Sequence, residues 1–310
     1  MAPFAPRPYI LERGDAAVKK LGLALGGGFI RGAAHVGVLK VLDAAGIKPA
    51  AVAGTSAGSI VAALYAAGHT VPEMERAVLS LKPGDVLDGG PLFGLVNLYR
   101  LLVSLLRRLG GREQTGAPLG LLPGARLLAF LQSLLGDRRF DDLSIPLVVT
   151  ATDIVCGRRV VFAPTPLVRD EFVRLARTPV AEAVRASCAV PGLFEPVRRD
   201  GMVLVDGGVR EGVPAEAVRL AGVDVVVAVD LGERPEACRP VSDIVDLLSE
   251  AWDLALSEGT QKELETYADV VIKPPLEGIR PWDFHRVPQC IKAGEQAACV
   301  ALHRIQEVLA

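Results

Sequence analysis

A serine between two glycines lies where an apolar run meets a segment with helical periodicity. The run Pro49–Ala53 predicts a buried strand, and Ser59–Ala67 predicts a helix rich in small residues. The sequence GTSAG between them, with Gly54 and Gly58 around Ser56, has the spacing of a nucleophile elbow, a sharp strand-to-helix turn that presents the serine hydroxyl. The helix dipole would favour the negative charge that develops as the serine attacks an acyl carbon. The alternative is a plain turn that contains a serine.

Three consecutive glycines, Gly26, Gly27 and Gly28, follow the apolar run Leu21–Leu25, which predicts a strand. Because glycines leave backbone N–H groups accessible, this loop is a candidate oxyanion hole, and Arg31 would add positive charge or brace the loop. A nucleotide-binding loop is the alternative. It is disfavoured because the dinucleotide spacing needs a glycine at position 31 and no Gly-Lys-Ser/Thr of a P-loop follows.

A serine nucleophile needs a base, and Asp206 stands at the end of a later apolar run, MVLVD, followed by Gly207 and Gly208. Strand ends are where α/β proteins gather functional groups, and an aspartate there can act on the serine without a histidine. The alternative is that Asp206 only forms a turn with the glycines. A relay from Ser56 to His285 also stays open, because His285 lies in a predicted loop. The other histidines, in predicted helices or turns, are His35, His69 and His303.

The composition of the 310 residues excludes several classes of protein. Lys and Arg number 34 against 36 Asp and Glu, so the near-neutral chain does not favour a nucleic-acid partner. Five scattered cysteines without a CxxC pair predict neither a disulfide framework nor a zinc site. Free thiols and the lack of an apolar leader favour a cytoplasmic protein, and we predict neither a metal nor another cofactor.

Predicted strands and helices alternate along the chain, which favours a mainly parallel α/β sheet covered on both faces. No internal repeat or linker-like segment divides the chain, so a single domain is expected. The predicted strands are 21–25, 49–53, 145–154, 158–163, 202–208, 223–231 and 268–274, and the predicted helices are 31–45, 59–67, 180–190, 247–264 and 287–309.

A Leu-rich stretch at 91–111 interrupts this order. Its arginines, Arg100, Arg107 and Arg108, make it a poor transmembrane segment. One interpretation is a helix of the core. The other is an amphipathic lid or membrane-surface helix, peripheral at the membrane, whose arginines meet anionic headgroups while its leucines meet acyl chains.

Together these motifs resemble the patatin-like phospholipase family, in its bacterial branch. The glycine-rich segment, the nucleophile elbow and the catalytic aspartate motif of that family are similar to LALGGGFIRGAAHVGVLKVL (23–42), GTSAG (54–58) and DGG (206–208). Two further segments look familial, PLVVTATDIVCGRRVVF (146–162) and VRASCAVPGLFEPV (184–197). The resemblance extends over most of residues 21–275, in the order of the family.

The resemblance implies a three-layer α/β/α sandwich with a mainly parallel central sheet, and a Ser–Asp dyad that hydrolyses acyl esters of lipids. Ser56 would be the nucleophile and Asp206 the general base, with no histidine, metal or cofactor required. The oxyanion hole would be formed by the backbone N–H groups of Gly26, Gly27 and Gly28, with Arg31 beside it. The glycines that support the motifs would be Gly54, Gly58, Gly207 and Gly208.

The resemblance also implies an N-terminal extension at 1–20 and one catalytic domain at 21–310, with a helical lid or membrane-contact insertion at about 88–118. Two departures concern the site. Phe29 stands where the family often has a fourth glycine, and VREGVP (209–214) puts charge after the aspartate motif. The expected partner is a lipid or acyl-ester substrate. The alternatives are a soluble esterase or thioesterase with the Ser56–His285 relay, and a non-catalytic lipid-binding protein.

Overall fold

The computed structural model describes residues 19–89, 118–164, 172–175, 177–232 and 244–310, together with eight helical residues between positions 95 and 106. Residues 1–18 of the expected N-terminal extension lie outside the described residues, as do most of the positions at 88–118, including Arg100, Arg107 and Arg108.

Nine of the described strands form one sheet, in which the order along the main path is β11-β10-β1-β2-β4-β5-β6. Neighbours from β11 to β4 are parallel, β5 is antiparallel to β4, and β9 pairs antiparallel with both β4 and β8. Two short strands, β3 and β7, pair separately. The strands are β1 Leu21–Leu25, β2 Ala51–Gly54, β3 Gly120–Leu122, β4 Leu147–Asp153, β5 Arg158–Phe162, β6 Phe172–Arg174, β7 Gly192–Phe194, β8 Val197–Arg199, β9 Met202–Asp206, β10 Val225–Val229 and β11 Val270–Ile272.

Helices cover both faces of the sheet, because successive side chains of its apolar strands point to opposite sides. In β1, Leu23 and Leu25 join a large core with α1, α2 and α9, whereas Ala24 joins a smaller core with α7 and α8. The predicted three-layer α/β/α architecture is therefore confirmed. The helices are α1 Ala33–Ala44, α2 Ala57–Ala66, α3 Val71–Ser80, α4 Pro83–Val86, α5 Ala125–Leu135, α6 Val180–Ser187, α7 Ala215–Arg219, α8 Ile244–Tyr267 and α9 Val287–Leu309.

None of the helices in the described part of the chain has both the length and the hydropathy of a transmembrane segment.

Strand β4 brings the ends of β2 and β9 together. Gly54 pairs with Val149, and Asp206 pairs with Ala151, both on the edge of β4 opposite β5. Because β2 runs parallel to β4 and β9 runs antiparallel, their carboxyl ends converge. Two residues of strand separate the two positions, or about 7 Å at 3.3 Å per residue. The turn after Gly54 therefore faces Asp206.

Helix α1 packs directly on the C-terminal helix α9 through glycines. A methyl group on Gly37 would overlap the carbonyl oxygen of Ile291, and one on Gly294 would overlap the carbonyl oxygen of Ala34. The two backbones are thus in contact, and α9 is held against the helix that follows the glycine loop.

This packing predicts opposite effects for two glycine-to-alanine changes. Gly294→Ala should lower the free energy of unfolding by about 1–3 kcal/mol, because the added methyl forces the helices apart. Gly259→Ala, on α8, should raise it by up to about 1 kcal/mol, because no described atom lies within 4 Å of the added carbon. Urea unfolding of both variants measures the difference. Equal stabilisation by the two changes would contradict the close helix contact.

Candidate active site

Ser56 occupies the turn between β2 and α2 in a backbone conformation that L-residues rarely adopt, with φ 51° and ψ −125°. Its N–H donates to Ser187 Oγ at 2.8 Å, and its carbonyl oxygen accepts from Ser59 Oγ at 2.6 Å. Such a conformation costs about 1–3 kcal/mol and persists where the surroundings enforce it, which is common at functional sites. The predicted elbow at Ser56 has this geometry.

The two glycines of the elbow are required by close packing. A methyl group on Gly54 would overlap the backbone of Ser59, and one on Gly58 would overlap the carbonyl oxygen of Leu25 at the end of β1. Helix α2 can therefore begin directly against the sheet. The Ser56 side chain is displayed at the start of this helix and is 8% exposed.

Asp206 ends β9 and is buried, with 3% of its surface exposed. Its Oδ1 accepts the N–H of Gly208 at 2.8 Å, whereas among the described residues no group completes a hydrogen bond to Oδ2. Burial raises the pKa of Asp206 from 3.8 to about 6, while the neighbouring Ser56 side chain and the Gly208 N–H lower it. A carboxyl group with a pKa of about 6 is largely ionised at neutral pH. Beside a serine, such a carboxylate is suited to act as a base.

Gly207 lets this strand end pass close to β4. A methyl group there would lie 2.5 Å from Thr150 Oγ1, and Thr150 in turn hydrogen-bonds Thr55, the residue before Ser56, at 2.7 Å between their hydroxyls. The hydroxyl pair links β4, against which Gly207 packs, to the elbow. Sequence reasoning did not assign a role to either threonine.

The glycine loop runs beside Ser56, since a methyl group on Gly27 would lie 3.3 Å from the Ser56 Cβ. The N–H of Gly26 donates to Val229 O at 3.0 Å, and that of Gly27 donates to Gly212 O at 3.1 Å. Within the described residues, the N–H groups of Gly28 and Phe29 have no hydrogen-bond acceptor. The N–H groups of Gly26 and Gly27 are thus engaged in main-chain hydrogen bonds, whereas those of Gly28 and Phe29 are candidate donors to a substrate.

Phe29 adopts φ 51°, in the left-handed region that favours glycine. Its ring contacts Trp282, with ring centroids 4.2 Å apart at an interplanar angle of 55°. The next residue, Ile30, donates its N–H to Pro281 O at 3.3 Å. The segment before α9 therefore holds the strained part of the loop.

Arg31 and His35 are buried behind the loop. The Arg31 backbone N–H donates to Gly28 O at 3.0 Å. Burial raises the pKa of the Cys290 thiol, on α9, to about 11, and the charge of the Arg31 side chain opposes this rise. His35 Nε2 lies 2.8 Å from Gly26 O, and burial lowers its pKa to about 4. A neutral imidazole can donate to that carbonyl. These positions support a bracing role for both residues.

Cys188 is a buried thiol beside Ser56 and Asp206 to which the sequence analysis assigned no role. Burial raises its pKa to about 12, and the charge of Asp206 adds to this effect, while the Ser59 and Ser56 side chains lower it. The group therefore remains a neutral thiol. Its neighbour Ser187 accepts the Ser56 N–H, so the end of α6 packs against Ser56.

His285 lies in an exposed turn, and within the described residues no hydrogen bond joins it to Ser56. His69 Nε2 contacts Leu134 O at 3.1 Å, and His303 pairs with Glu307 on the exposed side of α9. The groups that the structure brings together at Ser56 are Asp206, the glycine loop and the end of α6.

The fold and the elbow define an α/β protein of the kind seen in two solved structures. VipD from Legionella pneumophila is 17% identical, has a TM-score of 0.50 and is matched over 95% of this chain and 67% of that chain. Human GIVD cytosolic phospholipase A2 is 10% identical, also has a TM-score of 0.50 and is matched over 94% and 62%. At these identities the likeness concerns the fold.

The family model of patatin-like phospholipase matches residues 23–219, and the chain belongs to this family. A patatin-like phospholipase domain-containing protein of Caenorhabditis elegans is 32% identical over 92% of this chain and 21% of its own length. An NTE family protein of Mycobacterium tuberculosis is 29% identical over 73% of this chain. The match covers 53% of that protein, so the chain corresponds to about half of this relative.

The buried carboxyl predicts a cost to stability. Because the folded-state pKa of Asp206 is raised, the contribution of this group to the stability of the folded state is complete below pH 3.8, where the carboxyl is protonated. This contribution is lost as the pH rises through about 6 and the buried carboxyl ionises. Asp206→Asn should therefore raise the free energy of unfolding at pH 8 by about 3 kcal/mol, with the gain shrinking towards pH 4. Urea unfolding across this range measures it. The exposed Asp43→Asn should match the wild type, and a pH-independent effect of Asp206→Asn would refute the assignment.

Proposed function

We propose that this chain is a serine lipid acyl hydrolase of the phospholipase A, lysophospholipase or esterase type, with Ser56 as nucleophile and Asp206 as general base. The observation that carries this proposal is the convergence of a strained serine and a buried carboxyl beside two backbone N–H groups that have no hydrogen-bond acceptor in the described part of the chain. Membership of the patatin-like phospholipase family supports a lipid or acyl-ester substrate.

In the proposed mechanism, Asp206 accepts the Ser56 proton as the hydroxyl attacks an ester carbonyl. The oxyanion receives hydrogen bonds from the N–H groups of Gly28 and Phe29, and loss of one such donor typically costs about 2.7–4 kcal/mol. Asp206 then returns the proton to the leaving alcohol. Water deprotonated by Asp206 cleaves the acyl-enzyme and restores the serine. Since the carboxyl has a pKa of about 6, activity should rise as the pH passes that value.

Fluorophosphonate labelling read by intact mass tests the dyad. The wild type should gain one adduct at Ser56, and Ser56→Ala should gain none. Asp206→Asn should label about 10²–10⁴-fold more slowly, because the proton acceptor is lost. The exposed Ser80→Ala is the matched control and should label at the wild-type rate.

Labelling, combined with vesicle binding, separates the dyad from its two alternatives, the Ser56–His285 relay and a non-catalytic lipid-binding protein. If His285→Ala abolished labelling while Asp206→Asn retained it, the Ser56–His285 relay would replace the dyad. If folded protein bound vesicles without any adduct, the lipid-binding interpretation would replace catalysis. Labelling of Ser56→Ala at the wild-type rate would exclude Ser56 as the nucleophile.

A membrane surface is the partner we propose for the region around residues 95–106. The described helical residues here place apolar side chains in solvent at helical spacing, and apolar side chains exposed in this way suit an interfacial helix. The exposed side chains are Leu95, Val96, Leu98, Tyr99, Leu102, Leu105 and Leu106. An enzyme acting on lipid esters needs such a contact, since its substrate is held in an aggregate.

Sedimentation with vesicles of phosphatidylcholine and phosphatidylglycerol tests this contact. The triple change Leu98→Ser, Leu102→Ser and Leu105→Ser should weaken binding more than about tenfold, because each buried leucine contributes about 1.5–3 kcal/mol. Labelling by a soluble fluorophosphonate should stay unchanged. Val300→Ser, at an exposed apolar position of α9, is the control. Undiminished vesicle binding by the triple variant would rule out this surface.

A further inference from the structure

The main chain just beyond Asp206 contacts both other motifs of the proposed site. The Glu211 N–H donates to Gly207 O at 2.9 Å, which curls the segment back towards the sheet. The Glu211 carbonyl oxygen then accepts from Thr55 Oγ1 at 3.0 Å, and the Gly212 carbonyl oxygen accepts from the Gly27 N–H at 3.1 Å. The position of Glu211 therefore affects the elbow and the glycine loop together.

The side chain of Glu211 is buried, with 2% of its surface exposed, in a cluster of charged groups. Three other elements supply its neighbours: Glu216 of α7, Glu263 of α8 and Arg159 of β5. Arg159 Nη1 pairs with Glu216 Oε2 at 2.8 Å, and the Glu216 N–H donates to Glu263 Oε1 at 3.3 Å. Three carboxyl groups thus surround one guanidinium group.

The contact between the carboxyl groups of Glu211 and Glu263 requires a bound proton. Within the described residues, no donor completes a hydrogen bond to either Oε of Glu211, and the carboxyl of Glu263 is its hydrogen-bonding neighbour. Two ionised carboxylates only accept hydrogen bonds, so the contact needs a proton on one of them. Burial raises the pKa of both groups, and the charge of Glu263 raises that of Glu211 further.

Among the described residues, no group of three or more His, Cys, Asp or Glu side chains is arranged to hold a metal ion. A shared proton is the simpler way to keep two carboxyl groups together out of water, as in the carboxyl pairs of acid proteases.

We propose that Glu211 and Glu263 share one proton and that this acid pair positions the Glu211–Gly212 main chain against Thr55 and Gly27. Glu211 is then a positioning residue for the proposed hydrolase, and the inference rests on that function. When the pair loses its proton, repulsion between the two carboxylates displaces Glu211. The elbow and the glycine loop lose their common support, and activity falls on the alkaline side.

The direction of the effect follows from the raised pKa values. The stabilisation by the pair is complete below the unfolded-state pKa and is lost as the pH rises through the higher folded-state value. Asp206 produces the opposite limb of the activity profile, because it must be ionised to act and becomes so above about pH 6. The two carboxyl sites therefore bound the active range from opposite sides.

The test is the rate of Ser56 labelling by a fluorophosphonate between about pH 5 and 10, for the wild type, Glu211→Gln and Glu265→Gln. The wild-type rate should fall about tenfold per pH unit once the pair ionises. Glu211→Gln should keep the acid limb and lose the alkaline limb, because an amide donates to Glu263 without titrating. Glu265→Gln, exposed on the same helix, should follow the wild type.

A second measurement keeps this inference separate from the proposed function. This measurement is the free energy of unfolding of Ser56→Ala, which cannot be labelled. It should fall at alkaline pH as the Glu211–Glu263 pair ionises, and adding Glu211→Gln should remove that fall. If the wild type never labels but this difference in stability is present, the hydrolase proposal fails and the acid pair stands. If Glu211→Gln keeps the wild-type alkaline limb and stability profile, the pair is excluded. Glu263→Gln provides the same test should Glu211→Gln not fold.

Discussion

The pairing of β4 with two strands along one edge is the constraint on which the site depends. Hydrogen bonds fix Gly54 opposite Val149 and Asp206 opposite Ala151, so the two strand ends meet two residues apart. A slip of one residue in either ladder would turn its side chains to the other face of the sheet. The distance between the serine and the carboxyl is thus set by backbone pairing, and the surrounding side chains refine it.

Close backbone contact and burial each lower stability where the ends of β2 and β9 meet. The turn at Ser56 stores conformational strain, and Asp206 is kept out of water with no cation beside it among the described residues. Proteins tolerate such local costs where a rigid frame offsets them, and the frame here is a sheet covered on both faces. The strained backbone of Ser56 and the raised pKa of Asp206 therefore have a common origin, because both residues lie where the ends of β2 and β9 converge.

Much of the fold could be predicted because its central elements are continuous apolar runs with clear boundaries. Strand Leu21–Leu25 and helix Val287–Leu309 were predicted to the residue. Helix α3 was not predicted: it is short and buries only Val71 and Met74, and its start is marked by a capping box of Thr70 and Glu73 rather than by a long apolar run. The antiparallel pairing of β9 could not be predicted either, since a buried strand has the same local pattern whichever way its neighbour runs.

The parts of the candidate site that are short sequence motifs could be predicted. The parts that depend on residues far along the sequence could not. The serine elbow and the aspartate motif are short patterns in the sequence. Which amides of the glycine loop are free depends on Val229 and Gly212, carbonyl partners almost two hundred residues away. The charge at Glu211 was evident from the sequence, but its burial beside Glu263 was not, because α8 is a separate element that reaches it only in the folded chain.

The contact between Phe29 and Trp282 bears on where the domain ends. The family pattern covers residues 23–219, yet the loop beside Ser56 is held by Trp282 and Pro281, and strand β10 lies between β1 and β11. A chain cut after residue 219 would leave β1 with an open edge and Phe29 with no partner for its ring. The smallest fragment able to keep a formed site is accordingly longer than the signature by which the family is recognised.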